Sequence, residues 1–319
     1  MTDLSKEFRQ LEVIRRRERG TITMLLIAAG AMGLFAIWIL ILAVKAGGQG
    51  EGILEYLSMG LFILAGWIIY RVTVARNRYR GAYKSQVIPA LVRSLQPGMT
   101  YQSEGHFSDD WFYRSGLYKQ YYNIFESEDY LTGSIGETDF KIGEIKVQSE
   151  TTSYRDGRKE TDTETIFDGL FAVAEFPREC RGSIFVVPDF AERHFAWLGR
   201  AFQKLRTDDG EQLLRVENPE FEKAFVVRAT DPVEAIEVLT PELQEQILIL
   251  RSRFGRDLRL AFKPSQLFIA IPSSKDWFEP RMSRPASCPK QIRDLLRQLT
   301  ACFQIVEDLN LNTRIWTEE

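Results

Sequence analysis

Histidines are the first residues to weigh for chemistry, because imidazole serves as a metal ligand and as a general base near neutral pH. The chain has only two of them. His106 lies close to Asp109 and Asp110, a spacing at which one imidazole and one carboxylate could share a metal ion. That segment is polar, however, so a solvated loop is the stronger interpretation. His194 lies among bulky apolar residues, which favours packing or a surface position.

Clustered carboxylates are the next candidates. Two clusters occur, Glu126, Glu128 and Asp129, and later Asp208, Asp209 and Glu211. General acid–base chemistry needs two carboxyl groups held at a defined separation in a cleft, often with one raised pKa. Clusters in polar segments are far more typical of solvated turns, so we expect solvated turns at both places.

Other motifs that would carry chemistry are missing from the sequence. It has no glycine-rich phosphate loop ending in Lys-Ser or Lys-Thr, no His-Glu-x-x-His and no Gly-x-Ser-x-Gly. Three cysteines, Cys180, Cys288 and Cys302, are odd in number and have no CxxC spacing, which indicates reduced thiols. A nucleophile with a base from a distant segment stays open. We therefore predict no catalytic, cofactor-binding or metal-binding residues, and the sequence favours a noncatalytic protein over an enzyme.

Two apolar stretches near the N-terminus are each long enough to cross a membrane. Thr21 to Val44 is 24 residues without a charge, about 36 Å as a helix against a bilayer core of about 30 Å. A second stretch covers about 55–75, where Arg71 can extend to the headgroups. The glycine-rich segment 45–52 between them allows only a tight turn. The sequence predicts a two-span transmembrane helical hairpin.

Basic residues lie on both outer sides of this hairpin. They are Lys6, Arg9, Arg15, Arg16, Arg17 and Arg19 before it, and Arg71, Arg76, Arg78, Arg80 and Lys84 after it, against Lys45 alone in the turn. The positive-inside bias then predicts that both termini are cytoplasmic. A cleaved signal peptide is the rival interpretation of the first stretch, but its length and lack of a small-residue cleavage site oppose it.

The charge distribution separates the anchor from the rest of the chain. Residues 1–93 carry 13 Lys and Arg against 6 Asp and Glu, whereas the remainder carries 28 against 38. A basic anchor suits anionic lipids, and an acidic remainder argues against nucleic acid as a partner. We predict a basic cytoplasmic N-terminus over 1–20, the hairpin over 21–75, a juxtamembrane helix or stalk over 76–97, and a cytoplasmic α+β domain over 98–319.

The stalk has apolar residues at Tyr79, Tyr83 and Val87, on one face of a helix. We expect Pro89 to kink this helix or to restart it, because proline lacks a backbone donor. Packing on its own domain and self-association of stalks are equally supported interpretations.

Strand patterns begin at about Asp129. Alternating residues over 141–154 and 161–176 flank Asp156-Gly157, which predicts a hairpin with a polar tip in solvent. Further strands are predicted at 183–187, 213–216, 224–229, 258–262 and 267–271, whereas 98–116 is expected to be a loop or a short connecting helix. Phe167, Phe171, Phe176 and Phe185 fit a sheet core at strand spacing.

Helix signals follow near the C-terminus. Asp231-Pro232 and Thr240-Pro241 each pair an N-cap acceptor with proline at the first helical position, which predicts helices to about Leu239 and Arg253. Residues 289–309 form one apolar stripe and predict an amphipathic helix capped by Ser287. Strands in runs with segregated helices indicate an α+β fold with a largely antiparallel sheet.

Several segments also resemble a known family. The runs Phe167–Phe176, Gly182–Asp189, Asn218–Asp231, Asp231–Pro241 and Leu267–Ile271 are similar to the bacterial domain of unknown function DUF3137, as are Tyr83-Lys84, Val87-Ile88, Ser149-Glu150 and Phe278-Glu279. The resemblance covers about 80–280. It implies a bacterial inner-membrane protein with two N-terminal spans and no established activity, often encoded near a LemA-like membrane protein.

Three functions from different classes stay open. The favoured one is a membrane-tethered interaction or sensing module, with membrane lipids as one partner and an unknown protein as the other, either a LemA-like membrane protein or a second copy of the chain. The alternatives are a lipid-facing module at the inner leaflet and an enzyme with an unrecognised active site.

Overall fold

The computed structural model describes residues 2–45, 51–155, 158–177, 180–189, 210–309 and 311. The chain divides into two compact units. The first is Met1–Ala90 with Glu279–Leu295, and the second is Leu91–Phe278 with Leu296–Glu319. His194, Asp208 and Asp209 lie outside the described residues.

Two long helices, α1 (Thr2–Lys45) and α2 (Glu51–Leu95), begin the chain. They contact each other through an apolar cluster that includes Ile22, Ile68 and Val72. Elsewhere large apolar side chains on both helices are exposed, among them Ile27 and Leu34 on α1 and Ile63 and Ile69 on α2. Exposed apolar surface of this extent is typical of a lipid or protein contact.

Of the described residues, one helical segment, Phe8–Ile39, is long and apolar enough to cross a membrane. This segment indicates either a membrane anchor or a signal sequence. The second apolar stretch begins with residues 55–59, whose side chains lie outside the described set. The two-span hairpin therefore stays a prediction.

Pro89 does not divide the stalk. The helix α2 continues through it to Leu95, so the predicted restart at Pro89 was wrong. Proline removes a single backbone donor, and the fully buried Val87 and Ile88 beside it supply packing that offsets this loss.

The described residues of the second unit form one nine-stranded sheet in the order β1-β2-β3-β4-β9-β8-β5-β7-β6, with every neighbouring pair antiparallel. The strands are β1 (Met99–Gln102), β2 (Ile124–Ile135), β3 (Thr138–Arg155), β4 (Arg158–Glu175), β5 (Ile184–Pro188), β6 (Gln212–Leu214), β7 (Phe225–Ala229), β8 (Arg259–Lys263) and β9 (Gln266–Pro272). The predicted antiparallel sheet is confirmed.

Within the described ranges, five further helices follow: α3 (Asp109–Ser115), α4 (Pro219–Ala224), α5 (Pro232–Val238), α6 (Pro241–Phe254) and α7 (Pro289–Asp308). The predicted caps of α5 and α6 are confirmed. Asp231 Oδ1 accepts from the backbone N–H of Val233 at 2.9 Å and Glu234 at 3.2 Å, and Thr240 Oγ1 accepts from Leu243 at 3.3 Å.

Aromatic side chains form the core on one face of the sheet. Phe112 of α3 is fully buried, and its ring centroid lies 5.8 Å from that of Phe167 and 5.5 Å from that of Phe171. The predicted core residues Phe176 and Phe185 are buried as well. Ile145 of β3 and Phe268 of β9 belong to the same buried cluster as Phe112, which therefore spans the middle of β3, β4 and β9.

Candidate interaction sites

The metal pair that the spacing of His106, Asp109 and Asp110 would allow is not assembled. His106 and Asp109 are exposed, and Asp110 lies 3.7 Å from Arg114 in the same short helix, which Ser108 caps. Among the described residues, His106 belongs to no group of three or more metal-ligating side chains.

The acidic clusters contain two exceptions to the expected solvated turns. Asp129 is fully buried, has φ 55° at an irregularity in β2, and accepts a hydrogen bond from the Tyr101 hydroxyl. The Glu211 side chain is 10% exposed and pairs with Lys119 at 3.0 Å and with Arg228 at 3.5 Å. For these two carboxylates the expectation was wrong, because cations and hydroxyls from distant strands and loops reach them.

A row of charges crosses three strands at the sheet surface. The register aligns Glu126 of β2, Lys146 of β3 and Asp168 of β4. Burial raises the pKa of Asp168, the ammonium of Lys146 opposes this rise, and the carboxylates of Asp276 and Glu126 add to it. Asp168 remains exposed. An exposed carboxylate beside a lysine in an open row describes a surface charge network rather than an enclosed acid–base pair.

The hairpin of β3 and β4 extends past the rest of the sheet. Strand β2 pairs with β3 only as far as Gln148, and β9 pairs with β4 only from Gly169. Beyond Gln148, β3 and β4 continue as seven cross-strand pairs, from Ser149↔Glu164 to Arg155↔Arg158. We call this two-stranded ribbon, residues 149–155 and 158–164, the arm. At about 3.4 Å per residue it is roughly 20 Å long.

The arm buries almost none of its side chains. Residues 150–154 and 159–164 are exposed on both faces of the ribbon, and Tyr154 is 77% exposed. The predicted turn residues Asp156 and Gly157 lie outside the described set, but the pairing on either side confirms the hairpin. Isolated two-stranded hairpins are at best marginally stable in water. Contacts with the rest of the chain therefore contribute little to the stability of the arm.

Asn123 covers the base of one arm edge. Its side-chain amide donates to the carbonyl of Glu150 at 3.0 Å and accepts from the backbone N–H of Glu150 at 2.8 Å. Asn123 directly precedes β2, and its side chain makes the two hydrogen bonds that a further backbone residue of β2 would make to β3.

In the first unit, a second site is built from buried charges. Arg15, whose side chain is 6% exposed, donates from Nη2 and Nε to Glu12 at 2.7 and 2.9 Å, and from Nη1 to the carbonyl of Met282 at 3.1 Å. The Glu12 carboxylate also accepts from the backbone N–H of Ala286 at 3.1 Å and from exposed Arg16 at 3.0 Å. We call Glu12, Arg15, Met282 and Ala286 the arginine clamp. It fastens segment 279–288 to α1.

The helix α2 holds the same segment through a second ion pair. Lys84 Nζ lies 2.6 Å from Glu279 Oε1, and the Lys84 side chain is only 4% exposed. Arg80 Nε contacts the same oxygen at 2.7 Å. Basic residues that the sequence assigns to lipid headgroups therefore also hold protein structure.

Two buried tyrosines of α2 lie beside Gln291. Burial raises the pKa of Tyr83 to about 12 and raises that of Tyr79, while the neighbouring Gln291 side chain opposes both rises. The phenols stay neutral at physiological pH, and among the described residues the buried Tyr79 hydroxyl and Gln291 Nε2 have no hydrogen-bond partner.

Cys288, not the predicted Ser287, caps α7. The backbone N–H groups of Gln291 and Lys290 hydrogen bond to its sulfur and lower the thiol pKa, and Arg284 and Arg293 lower it further. The backbone N–H of Ile292 donates to its carbonyl at 3.1 Å. Cys288 is half-buried, whereas Cys180 and Cys302 are buried and burial raises the pKa of Cys302 to about 12.

Comparison with solved structures finds the crystal structure of the mycobacterial trehalose monomycolate transport factor A, TtfA, at 11% identity and a TM-score of 0.34. The alignment covers 69% of this chain and 92% of that chain. A search of curated proteins finds no match. The family model of DUF3137, described as a protein of unknown function, matches residues 165–311. The matched residues include most of β4 and the helices α4 to α7, and this part of the chain is similar to the DUF3137 family.

Proposed function

We propose that the protein is a membrane-anchored, noncatalytic interaction module of the bacterial inner membrane, and that the arm is its binding element. The observation that carries this proposal is the arm itself, a ribbon of about 20 Å whose side chains contact almost nothing in their own chain. Among the described residues, the Asn123 side chain alone pairs with an outer edge of the arm, and an extended, regular element of this kind is a template for adding strands from a partner.

The anchor follows from the helices. Exposed apolar residues on α1, such as Ile27 and Leu34, support insertion into a bilayer. Two spans with both termini cytoplasmic fit the basic residues that flank them. Alkaline phosphatase fused after Glu319 should be inactive and a green fluorescent protein fused there should fluoresce; the reverse pattern would refute this topology.

The binding role of the arm can be tested by photo-crosslinking in cells. Tyr154 is replaced by p-benzoylphenylalanine in the full-length protein, and the same replacement at Tyr121 is the control. Tyr121 is 78% exposed, so the two sites are matched in residue type and exposure and differ in lying on or off the arm. We expect a discrete protein adduct from position 154 and none from position 121.

Equal labelling at both positions, or lipid adducts alone, would contradict the proposal. A shortened variant with residues 150–163 replaced by Asp-Gly provides the second test. It should keep its melting temperature, because the arm contributes little burial, while losing its partner.

A further inference from the structure

The outer edge of β3 offers its backbone groups at alternate residues. Both backbone groups of Glu150 point outward, because they bond to Asn123 and not to β4. In an antiparallel ladder outward-pointing residues alternate with paired ones. The backbone groups of Thr152 and Tyr154 therefore point outward too, and beyond Glu150 no described residue pairs with β3 on the edge away from β4. The edge thus presents two N–H and two C=O groups.

The outer edge of β4 is unsuited to pairing with a copy of itself. Glu160, Asp162 and Glu164 lie on one face of the arm at alternate positions. Antiparallel pairing of two β4 edges about Asp162 would set these carboxylates directly opposite one another. Like charges in directly opposed positions destabilise a sheet. The corresponding residues of β3 are Ser149, Thr151 and Ser153, which are neutral.

We infer that the β3 edge of the arm pairs with the same edge of a second copy across a two-fold axis at Ser153. This inference rests on the proposed function, because it names the partner of the arm. In this register Thr152 lies opposite Tyr154 of the second copy and exchanges both backbone hydrogen bonds with it, and the symmetric pair does the same. All four outward groups are then used, and the two hairpins become one four-stranded sheet.

Charge complementarity supports this register over a parallel or a displaced one. In the sequence, residues 155–160 at the tip of the arm carry Arg155, Arg158 and Lys159 against Asp156 and Glu160, a net charge of +1, whereas Glu150, Asp162 and Glu164 lie toward its base. Antiparallel pairing about Ser153 puts residue 151 opposite residue 155 of the second copy. The basic tip of each arm therefore lies beside the acidic base of the other.

A disulfide tests the axis directly. Ser153 and its copy would form a non-hydrogen-bonded pair with Cα atoms about 4.5 Å apart, within the range of about 4.4–6.8 Å for a disulfide. Ser153→Cys is made in full-length protein carrying Cys288→Ser, since Cys288 is the half-buried native thiol and serine is itself a good cap. Mild copper–phenanthroline oxidation of membranes should convert most of the chain into a covalent dimer.

Two matched variants define the outcomes. Asp162→Cys, on the same face at the other edge, should give no dimer; a dimer there and none at 153 would place the β4 edges together and overturn the register. Adding Thr152→Pro to Ser153→Cys should abolish the disulfide while leaving the arm folded, because the Thr152 N–H points away from β4. No dimer from Ser153→Cys, alongside a position-154 adduct with a different protein, would refute the second copy but keep the proposed function. No adduct of any kind would refute both.

Discussion

Replacing Arg15 by methionine should release segment 279–288 from α1. The substitution keeps much of the apolar stem but removes two charged hydrogen bonds to Glu12 and one to the Met282 carbonyl. Breaking a buried ion pair by removing one partner typically costs about 3–5 kcal/mol. The carboxylate of Glu12 is 17% exposed and keeps its contacts with Arg16 and Ala286, so we expect a smaller cost of about 2–4 kcal/mol.

Arg16→Met is the matched control. Arg16 is the next residue of the same helix and bonds to the same carboxylate at 3.0 Å, but its side chain is 77% exposed. Exposed ion pairs contribute about 0–1 kcal/mol, so this variant should lose less than about 0.5 kcal/mol. The two variants remove the same charge from neighbouring positions and differ chiefly in burial.

Hydrogen–deuterium exchange of the peptide covering 279–288 measures this difference, since the Ala286 amide bonds to Glu12. If exchange follows local opening, a cost of 2–4 kcal/mol accelerates it by roughly 30-fold to several hundredfold, at tenfold per about 1.4 kcal/mol. Arg15→Lys should lie between, because lysine keeps the charge but not the bidentate geometry. Equal exchange in Arg15→Met and Arg16→Met would refute the argument that burial gives the clamp its strength.

Three further predictions concern the cap residues and the buried tyrosines. Asp231→Ala should destabilise the second unit by about 1 kcal/mol in chemical unfolding, and Asp231→Asn should not, because both native cap bonds need only a side-chain oxygen. Cys288 should react with N-ethylmaleimide in the native protein, with a midpoint below the ordinary thiol pKa of 9.0, whereas Cys180 and Cys302 should react only on unfolding; labelling of all three at one rate would contradict this. Burial raises the pKa of Tyr118 to about 12, so above pH 10 the unfolded state releases this proton first and stability falls. When the free energy of unfolding is measured from pH 9 to 12, Tyr118→Phe should lose up to about 3 kcal/mol less than the parent protein. Equal losses in the two proteins would contradict this prediction.

The regular elements could be predicted from the sequence wherever a local signal exists. The apolar alternation around Phe167 and Phe171 gave the sheet core, and the Asp231-Pro232 and Thr240-Pro241 pairs gave helix starts that need only neighbouring residues. Strand β1 was missed, because its four residues carry no strong alternation and their pairing with β2 comes from a distant segment. The prediction of Ser287 as the cap of α7 was wrong, because the helix begins at Pro289 and Cys288, a residue type outside the preferred N-caps, holds the position before it.

The arm and the arginine clamp differ in the same respect: the arm could be predicted from local sequence, and the clamp could not. The arm has a sequence signal. From 148 to 165 neither the odd-numbered nor the even-numbered positions form an apolar row, as a ribbon exposed on both faces requires. The arginine clamp has none, because its contacts join residues 12 and 15 to residues 282 and 286. Arg15 and Arg16 are identical in type and adjacent in sequence, so only their positions around α1 decide that Arg15 is buried in the clamp while Arg16 is exposed.

An exposed hairpin is normally a hazard, because either of its edges can recruit unrelated strands. In this chain each edge is restricted by different chemistry. Three carboxylates at alternate positions of β4 oppose pairing there with acidic strands. On the β3 edge, the side chain of Asn123 occupies the backbone groups of Glu150, at the base of the arm. What remains open is the short stretch around Thr152 and Tyr154, whose neutral side chains suit close pairing and whose flanking charges change sign from base to tip. Such an edge accepts a strand of matching length and opposite charge order and rejects most others, which is the behaviour expected of a binding element rather than of an aggregation site.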